Sequence, residues 1–228
     1  MTPRGDSIDA ALIRERADVL RHRLELAAPD RHIRIVAVTK GFGVDAPRAA
    51  LSAGLTSLGE NYAQEVLEKH DALSPEERSS VEWHFLGRVQ RNKVRSLAPI
   101  VSVWQSVDRT ELIDEIARRA PGARIMVQLN LSGEAQKGGA PFEDAETLVA
   151  HARTRGLEVL GLMGVGRAGD PEATAAGFAR LVAVADDLSL VERSIGMSDD
   201  LDAAISAGST MIRVGTGLFG PRAPRSGP

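Results

Sequence analysis

The run Ile33-Arg34-Ile35-Val36-Ala37-Val38-Thr39-Lys40-Gly41 is short, apolar and rich in β-branched residues, and it ends in a lysine and a glycine. A run of this kind is typical of a strand that is buried on both faces of a parallel sheet. Ligands of α/β folds collect at the carboxyl ends of strands, so Lys40 stands where an amine could meet a substrate or cofactor. In a partly desolvated pocket, such an amine can attack an aldehyde to form a Schiff base. The alternative is a surface lysine in a strand-to-helix turn.

Strand and helix patterns alternate outward from this run along almost the whole chain. Apolar positions from Ile8 to Leu24 predict an N-terminal helix, capped by Asp6 or Ser7. The predicted strands are 33–40, 56–60, 82–87, 100–107, 124–130, 157–163, 189–195 and 210–214. About eight strand-then-helix units predict an α/β fold, a single (β/α)8 barrel of the TIM type with an additional N-terminal helix. We expect this barrel to occupy residues 1–220 and residues 221–228 to form a disordered tail.

Composition and charge exclude several classes of function. The chain has 228 residues, of which 43% are hydrophobic, as in an ordinary soluble globular protein. Its formal net charge of -3 provides no overall positive field for nucleic acid or anionic lipid. The absence of cysteine excludes disulfides and thiolate chemistry, and the five histidines show no paired spacing, so no metal site is predicted. Without a signal-peptide pattern or a membrane-spanning run, the protein is expected to be cytoplasmic, with no nucleic-acid or membrane partner.

Two segments near the end of the chain have the features of a phosphate site. Gly196-Met197-Ser198-Asp199-Asp200 places a serine at the predicted start of a helix, where free backbone N–H groups favour an anion. Arg213-Val214-Gly215-Thr216-Gly217 follows the eighth strand, and its glycines let backbone amides approach a ligand closely. Barrels often bind phosphate in the loops after their last two strands. Each segment alone could be a helix cap or a turn, but together with Lys40 they favour a phosphate site.

A strand-end lysine, a phosphate site and a nearby arginine together suggest pyridoxal phosphate, because its aldehyde reacts with lysine and its ring nitrogen needs a partner. Arg213 is the candidate partner. Its guanidinium stays protonated, so it can donate to the ring nitrogen but does not readily give up its proton. An unprotonated ring is a poorer electron sink, which weakens carbanion chemistry without weakening binding. The alternative for Arg213 is a surface arginine or an ion pair.

Motifs that follow one another along nearly the whole chain are shared with a known family. They are Ala37-Val38-Thr39-Lys40, Gly59-Glu60-Asn61-Tyr62, Trp83-His84-Phe85-Leu86-Gly87, Gln90 with Asn92-Lys93, Gly161-Leu162-Met163, Gly196-Met197-Ser198-Asp199-Asp200 and Arg213-Val214-Gly215-Thr216. In this combination the chain resembles the pyridoxal phosphate homeostasis proteins, relatives of the N-terminal barrel of alanine racemase.

The resemblance implies which residues bind the cofactor. It implies a Schiff base at Lys40 and places Arg213 beside the pyridine nitrogen. The residues that it places around the phosphate are Ser198, Gly215 and Thr216. It also places Asn61 and Met197 near the cofactor. From the residues alone, Asn61 could instead cap the following helix with Gln64, and Met197 could be a packing residue.

The resemblance also implies a function other than efficient catalysis. Racemases of this fold have a second, β-rich domain that contributes a tyrosine acid/base from the partner subunit, and we expect none here because the chain ends first. A two-base racemase needs a proton carrier on each face of the substrate carbon, and Tyr62 is the only tyrosine. We therefore predict a monomeric protein that holds pyridoxal phosphate in intracellular cofactor homeostasis, with no catalytic residue and with apo-enzymes as possible recipients. The alternative is a pyridoxal phosphate-dependent amino-acid racemase or a related weak enzyme.

Some residues depart from the family pattern or have an open role. Gly41-Phe42-Gly43 stands where many relatives carry a threonine-lysine-proline-like turn, and Val89 stands where a leucine is common. The segment 133–139 could cover the barrel mouth or be only a mobile loop.

Four further predictions concern single side chains or faces. We expect Tyr62 to be a core residue and His84 to be a hydrogen-bonded structural histidine. The basic residues between Arg88 and Arg95 favour a solvated helix face over an RNA-binding patch. Glu65 and Lys69 are predicted to form an i,i+4 ion pair.

Overall fold

Eight parallel strands close into a barrel in the order of the sequence. The computed structural model describes residues 8–133 and 138–221. Its strands are β1 (Arg34–Val38), β2 (Ser57–Glu60), β3 (Glu82–Phe85), β4 (Val101–Val107), β5 (Arg124–Leu129), β6 (Glu158–Gly164), β7 (Glu192–Ser194) and β8 (Met211–Val214). β8 pairs with β1 through Ile212 and Ile35, which closes the sheet. The predicted (β/α)8 barrel is confirmed.

Helices follow the strands and surround the barrel. Within the described ranges they are α1 (Ala10–Ala27), α2 (Asp45–Ser52), α3 (Ala63–Ala72), α4 (Pro75–Ser80), α5 (Arg91–Leu97), α6 (Thr110–Arg119), α7 (Ala145–Thr154), α8 (Pro171–Asp187), α9 (Leu201–Ala207) and α10 (Thr216–Phe219). A short 3-10 turn, Phe142–Asp144, precedes α7. None of these helices is both long enough and apolar enough to cross a membrane.

The predicted N-terminal helix is present as α1. Its N-cap is Asp9, whose carboxylate accepts hydrogen bonds from the backbone N–H groups of Ala11 and Leu12. The predicted caps Asp6 and Ser7 lie outside the described residues, as does the predicted tail apart from Pro221.

Two helices were not predicted. One is α4, which begins at Pro75 although proline often ends a helix, and Ser74 caps it in a capping box with Glu77. The reason is that proline is well tolerated at the first position of a helix, where its missing N–H group costs nothing. The other addition is α10, a single helical turn that directly follows β8 and begins at Thr216.

The core has two parts. The larger part lies between the strands and the helices and includes Trp83 and Trp104, which are fully buried. A smaller cluster consists of Val36, Val103, Met126, Met163 and Met211. Because its members come from strands on opposite sides of the barrel, this cluster lies in the barrel interior, as expected for a barrel of this size. The cluster therefore supports the residues at the carboxyl ends of the strands.

Candidate cofactor-binding site

A cavity of about 370 Å³ opens at the carboxyl ends of the strands. It is lined by all of the cofactor-binding residues that the sequence predicts: Lys40, Asn61, Met197, Ser198, Arg213, Gly215 and Thr216. They come from β8 and from the segments after β1, β2, β7 and β8, so closure of the barrel brings them together. A larger cavity, of about 620 Å³, lies beside α1 at the opposite end of the barrel and contains none of them.

Lys40 follows β1 by two residues and lines this cavity. Its side chain is half-buried and lies in the turn that follows the strand. Of the other lysines in the described ranges, Lys69 is buried elsewhere and Lys93 lies exposed on α5. Lys40 is therefore the amine that the described part of the chain presents to the cavity.

The residues predicted to bind phosphate lie on two loops that contact each other. A methyl group added at Gly217 would lie 3.1 Å from Ser198 Oγ and 2.9 Å from Val214 Cγ1. Glycine at this position thus lets the loop after β8 approach the loop after β7 closely. Gly215 is the N-cap of α10, and Thr216 is its first residue. One ligand group can therefore be bound by the hydroxyls of Ser198 and Thr216 together with the backbone around Gly215.

One part of this prediction is wrong. Ser198 was expected at the start of a helix, but α9 begins at Leu201 and its N-cap is Asp200. The Asp200 carboxylate instead accepts a hydrogen bond from the backbone N–H of Met197, at 2.5 Å, which closes the turn that contains Ser198. Asp200 delays the helix because Asp favours such local hydrogen bonds.

Arg213 is buried, with only 5% of its surface exposed. Its guanidinium donates to the Ser194 carbonyl at 2.5 Å, to Ser194 Oγ at 2.7 Å and to the Gly164 carbonyl at 2.7 Å. Neither alternative from the sequence holds: it is not a surface arginine, and its described partners are neutral oxygens. Burial lowers the pKa of Arg213 to about 10, opposed by Asp200, so the side chain remains charged at neutral pH.

A chain of hydrogen bonds runs from Arg213 through the barrel to Glu82. Ser194 Oγ accepts from Arg213 and donates to Gln105 Oε1 at 2.7 Å. Gln105 Nε2 lies 2.7 Å from His84 Nδ1, and His84 Nε2 lies 3.0 Å from Glu82 Oε2. Burial lowers the pKa of His84, opposed by Glu82, so the imidazole is neutral. A neutral ring fits only when Nδ1 accepts from Gln105 and Nε2–H donates to Glu82.

This chain confirms His84 as a hydrogen-bonded structural histidine. It also includes Gln105 and Ser194, which the sequence analysis did not identify. Both are fully buried polar residues on β4 and β7. For Gln105 the signal was a glutamine inside a strand whose other residues are mainly apolar, since buried polar groups require partners. Ser194 gave no such signal, because the other residues of β7 are Glu192 and Arg193.

Asn61 presents an unsatisfied acceptor at the cavity. Its Oδ1 atom is buried and has no hydrogen-bond partner within the described residues. The alternative role as a helix cap is wrong, because Tyr62 is the N-cap of α3 and Gln64 instead donates to Glu68. A buried acceptor without a partner costs about 1–3 kcal/mol, so a ligand that donates to Asn61 would remove this cost.

Some of the remaining candidate residues lie where they were predicted, and others do not. Tyr62 is 47% exposed and does not line the cavity, so the prediction of a core residue is wrong. Met197 lines the cavity and is partly exposed. Arg88 also lines it, while Arg91 and Arg95 are exposed on α5. Of the loop 133–139, residues 134–137 lie outside the described ranges.

Sequence comparisons identify the family. The model of the family described as "Alanine racemase, N-terminal domain" matches residues 8–223. A "Pyridoxal phosphate homeostasis protein" of Pseudomonas aeruginosa is 39% identical over 203 residues, which cover 83% of this chain and 85% of that protein. A protein of the same name from Bos taurus is 37% identical over 212 residues, which cover 83% and 77%.

Solved structures of related proteins agree with the family that the sequence comparisons identify. PipY of Synechococcus elongatus, determined with PLP bound, has 30% identity and a TM-score of 0.81 and covers 91% of this chain and 100% of that one. Alanine racemase of Corynebacterium glutamicum, at 15% identity, has a TM-score of 0.73 over 97% and 63% of the two chains and shows the likeness of fold alone. The chain therefore belongs to the pyridoxal phosphate homeostasis protein family, whose barrel is of the alanine racemase N-terminal type.

Proposed function

We propose that this protein binds pyridoxal phosphate as a Schiff base on Lys40 and holds it in intracellular cofactor homeostasis. The observation that carries this proposal is that Lys40, Arg213 and the two loops predicted to bind phosphate line one cavity. The cofactor supplies an aldehyde, which condenses with the lysine amine and releases one water molecule. Hydrolysis reverses this linkage, so the protein can both retain and release the cofactor.

The residues of the cavity fit the parts of this cofactor. The Ser198 and Thr216 hydroxyls and the amides near Gly215 would bind the phosphate. Arg213 would donate to the pyridine nitrogen, and because its pKa is about 10, it would keep its proton at neutral pH. The unsatisfied Oδ1 of Asn61 would accept from a donor group of the bound ligand. Such contacts would bind the cofactor, whereas the unprotonated pyridine ring would remain a poor electron sink.

The same residues support a holding role over racemisation. A racemase needs a second proton carrier opposite the lysine. Tyr62, the only tyrosine of the sequence, lies outside the cavity lining. The relatives are named homeostasis proteins. Robust, Lys40-dependent exchange of the α-proton of amino acids in deuterated water would instead favour the alternative, a weak racemase.

We further propose that the protein acts as a monomer in the cytoplasm and that apo-enzymes dependent on pyridoxal phosphate receive the cofactor. The half-buried position of Lys40 supports the transfer role, because the amine that holds the cofactor stays within reach of solvent.

Borohydride reduction tests the covalent attachment. The protein is incubated with pyridoxal phosphate, reduced and digested, and the peptides are mapped by mass spectrometry. We expect the reduced pyridoxyl group on Lys40. A label on Lys69, Lys93 or Lys137 in place of Lys40, or no label at all, would contradict the proposal.

Removal of two hydroxyls tests the phosphate site. The double variant Ser198→Ala with Thr216→Val should weaken pyridoxal phosphate binding roughly thirtyfold, because each lost hydrogen bond to a charged group is worth about 1 kcal/mol or more. The measurement is equilibrium dialysis of the apo-protein. The control is Ser96→Ala with Thr154→Val, whose hydroxyls bind only carbonyls of their own helices. Equal affinity of the two double variants would place the phosphate elsewhere.

A further inference from the structure

Lys69 of α3 forms a buried cluster of charges directly behind the strand that carries Lys40. Only 2% of its surface is exposed. Its ammonium nitrogen lies 2.7 Å from the Thr39 carbonyl oxygen, 2.5 Å from Glu60 Oε1 and 3.0 Å from Glu65 Oε2. A lysine ammonium has three donors, so these acceptors use all of them. The predicted pair of Glu65 and Lys69 is confirmed, but it belongs to this larger cluster.

The cluster holds the backbone on both sides of Lys40. The peptide group before Lys40 is fixed by Lys69, which donates to the Thr39 carbonyl. The peptide group after Lys40 is fixed by Glu65, whose Oε2 accepts from the Gly41 N–H at 2.7 Å. Since Glu65 also binds Lys69, both contacts belong to one ion pair.

The residue after Lys40 explains why fixing the two peptide groups matters. Gly41 has a φ of 75°, in the left-handed region that glycine enters freely. Without the two hydrogen bonds, the backbone of Lys40 would share the conformational freedom of the glycine that follows it. Because the lysine side chain is long, a small backbone rotation moves its nitrogen much further than it moves the backbone. Fixing both flanking peptide groups therefore lowers the entropy that Lys40 loses when its nitrogen is held by a ligand.

The stability of the fold does not by itself account for the cluster. Burial raises the pKa of Glu60 against the opposing effect of Lys69, and Glu60 Oε2 has no hydrogen-bond partner within the described residues. Buried ion pairs can often be replaced by apolar residues without loss of stability, because the cost of desolvation offsets their attraction. However, an apolar pair could not form hydrogen bonds with the Thr39 carbonyl and the Gly41 N–H.

We propose that Lys69 and Glu65 are positioning residues that aim Lys40 into the cofactor cavity. This inference rests on the proposed function, in which Lys40 forms the Schiff base. Neither side chain lines the cavity, and the two contact the backbone on either side of Lys40. Loss of the pair should therefore affect the covalent linkage and leave the binding of phosphate and ring unchanged.

Two ligands separate these effects. Pyridoxal 5′-phosphate can form a Schiff base, whereas pyridoxine 5′-phosphate has an alcohol in place of the aldehyde and binds only noncovalently. We expect Glu65→Ala and Lys69→Met to weaken binding of pyridoxal phosphate roughly tenfold, the effect of one charge-assisted hydrogen bond. Binding of pyridoxine phosphate should change less than about twofold. Dissociation constants are measured by calorimetry, and the extent of borohydride trapping at Lys40 is measured in parallel.

Glu68→Ala is the matched control, because Glu68 lies exposed on the same helix and binds Gln64. It should leave both affinities unchanged. If Lys69→Met does not fold, Glu65→Ala decides alone, because Glu65 lies at the partly exposed edge of the cluster. Equal weakening of both ligands, or of neither, would overturn the inference while the wild-type label on Lys40 still supports the proposed function. A wild-type protein without that label would overturn both.

Discussion

Replacement of Lys40 by alanine should abolish attachment of pyridoxal phosphate that survives borohydride reduction, while noncovalent binding persists. Lys40 is the lysine that the described part of the chain presents to the cavity, so no other described amine can take its place. Arg213, which Ser194 and Gly164 hold in place, and the two loops proposed to bind phosphate should still bind the cofactor. The absorbance band of the Schiff base should disappear, and dialysis should show weaker binding that remains measurable.

Lys93→Ala provides the control for this result. Lys93 lies exposed on α5 and does not line the cavity, so its removal should leave the absorbance and the trapped label unchanged. An unchanged Schiff-base absorbance in Lys40→Ala would show that another lysine is used. Complete loss of cofactor binding would show that the phosphate contacts are too weak to act alone.

Replacement of Lys69 by methionine should have the largest effect on stability. The variant leaves Glu60 buried without its cation, and breaking a buried ion pair on one side costs about 3–5 kcal/mol in the free energy of unfolding. Urea denaturation of the apo-protein measures this cost. The cost should fall as the pH is lowered, because protonation of Glu60 removes the unpaired charge, and burial already raises the pKa of this group.

A second variant separates the loss of an ion pair from poor packing. In Lys69→Met combined with Glu60→Leu, no buried charge remains, so much of the stability should return. Glu68→Ala should change the free energy of unfolding by less than about 0.5 kcal/mol, as expected for an exposed residue. If Lys69→Met alone costs less than about 1 kcal/mol, Glu60 does not carry a charge that needs Lys69.

The barrel, Lys40 and the loops after β7 and β8 could be predicted from the sequence because they depend on local patterns, whereas Asn61 and Met197 were implied only by the family resemblance. The β-branched run of β1 and its counterparts mark buried strands wherever they occur. Once the strands are placed, the rule that ligands bind at their carboxyl ends locates Lys40 and the loops after β7 and β8. The position of a residue along its strand was sufficient for these predictions.

Several features that were not predicted are hydrogen bonds that only the folded chain determines. The delayed start of α9 follows from a bond between Asp200 and the backbone of Met197. The link between Ser194 and Gln105 joins residues 89 positions apart, and the link between Gln105 and His84 joins residues 21 apart. Such contacts depend on the register of three strands inside the closed barrel, which periodicity alone does not fix. The capping box of Ser74 and Glu77 differs from these contacts, because it is a local motif of the sequence.

The hydrogen-bond chain from Arg213 to Glu82 links the two ends of the barrel electronically. Every donor in it points the same way, so each bond polarises the next. Glu82, whose pKa is lowered to about 2 with His84 as the main cause, anchors this chain at the end remote from the cofactor cavity. In the proposed function Arg213 would donate to the pyridine nitrogen, so the electron demand on that ring would depend on a carboxylate that lies outside the cavity lining.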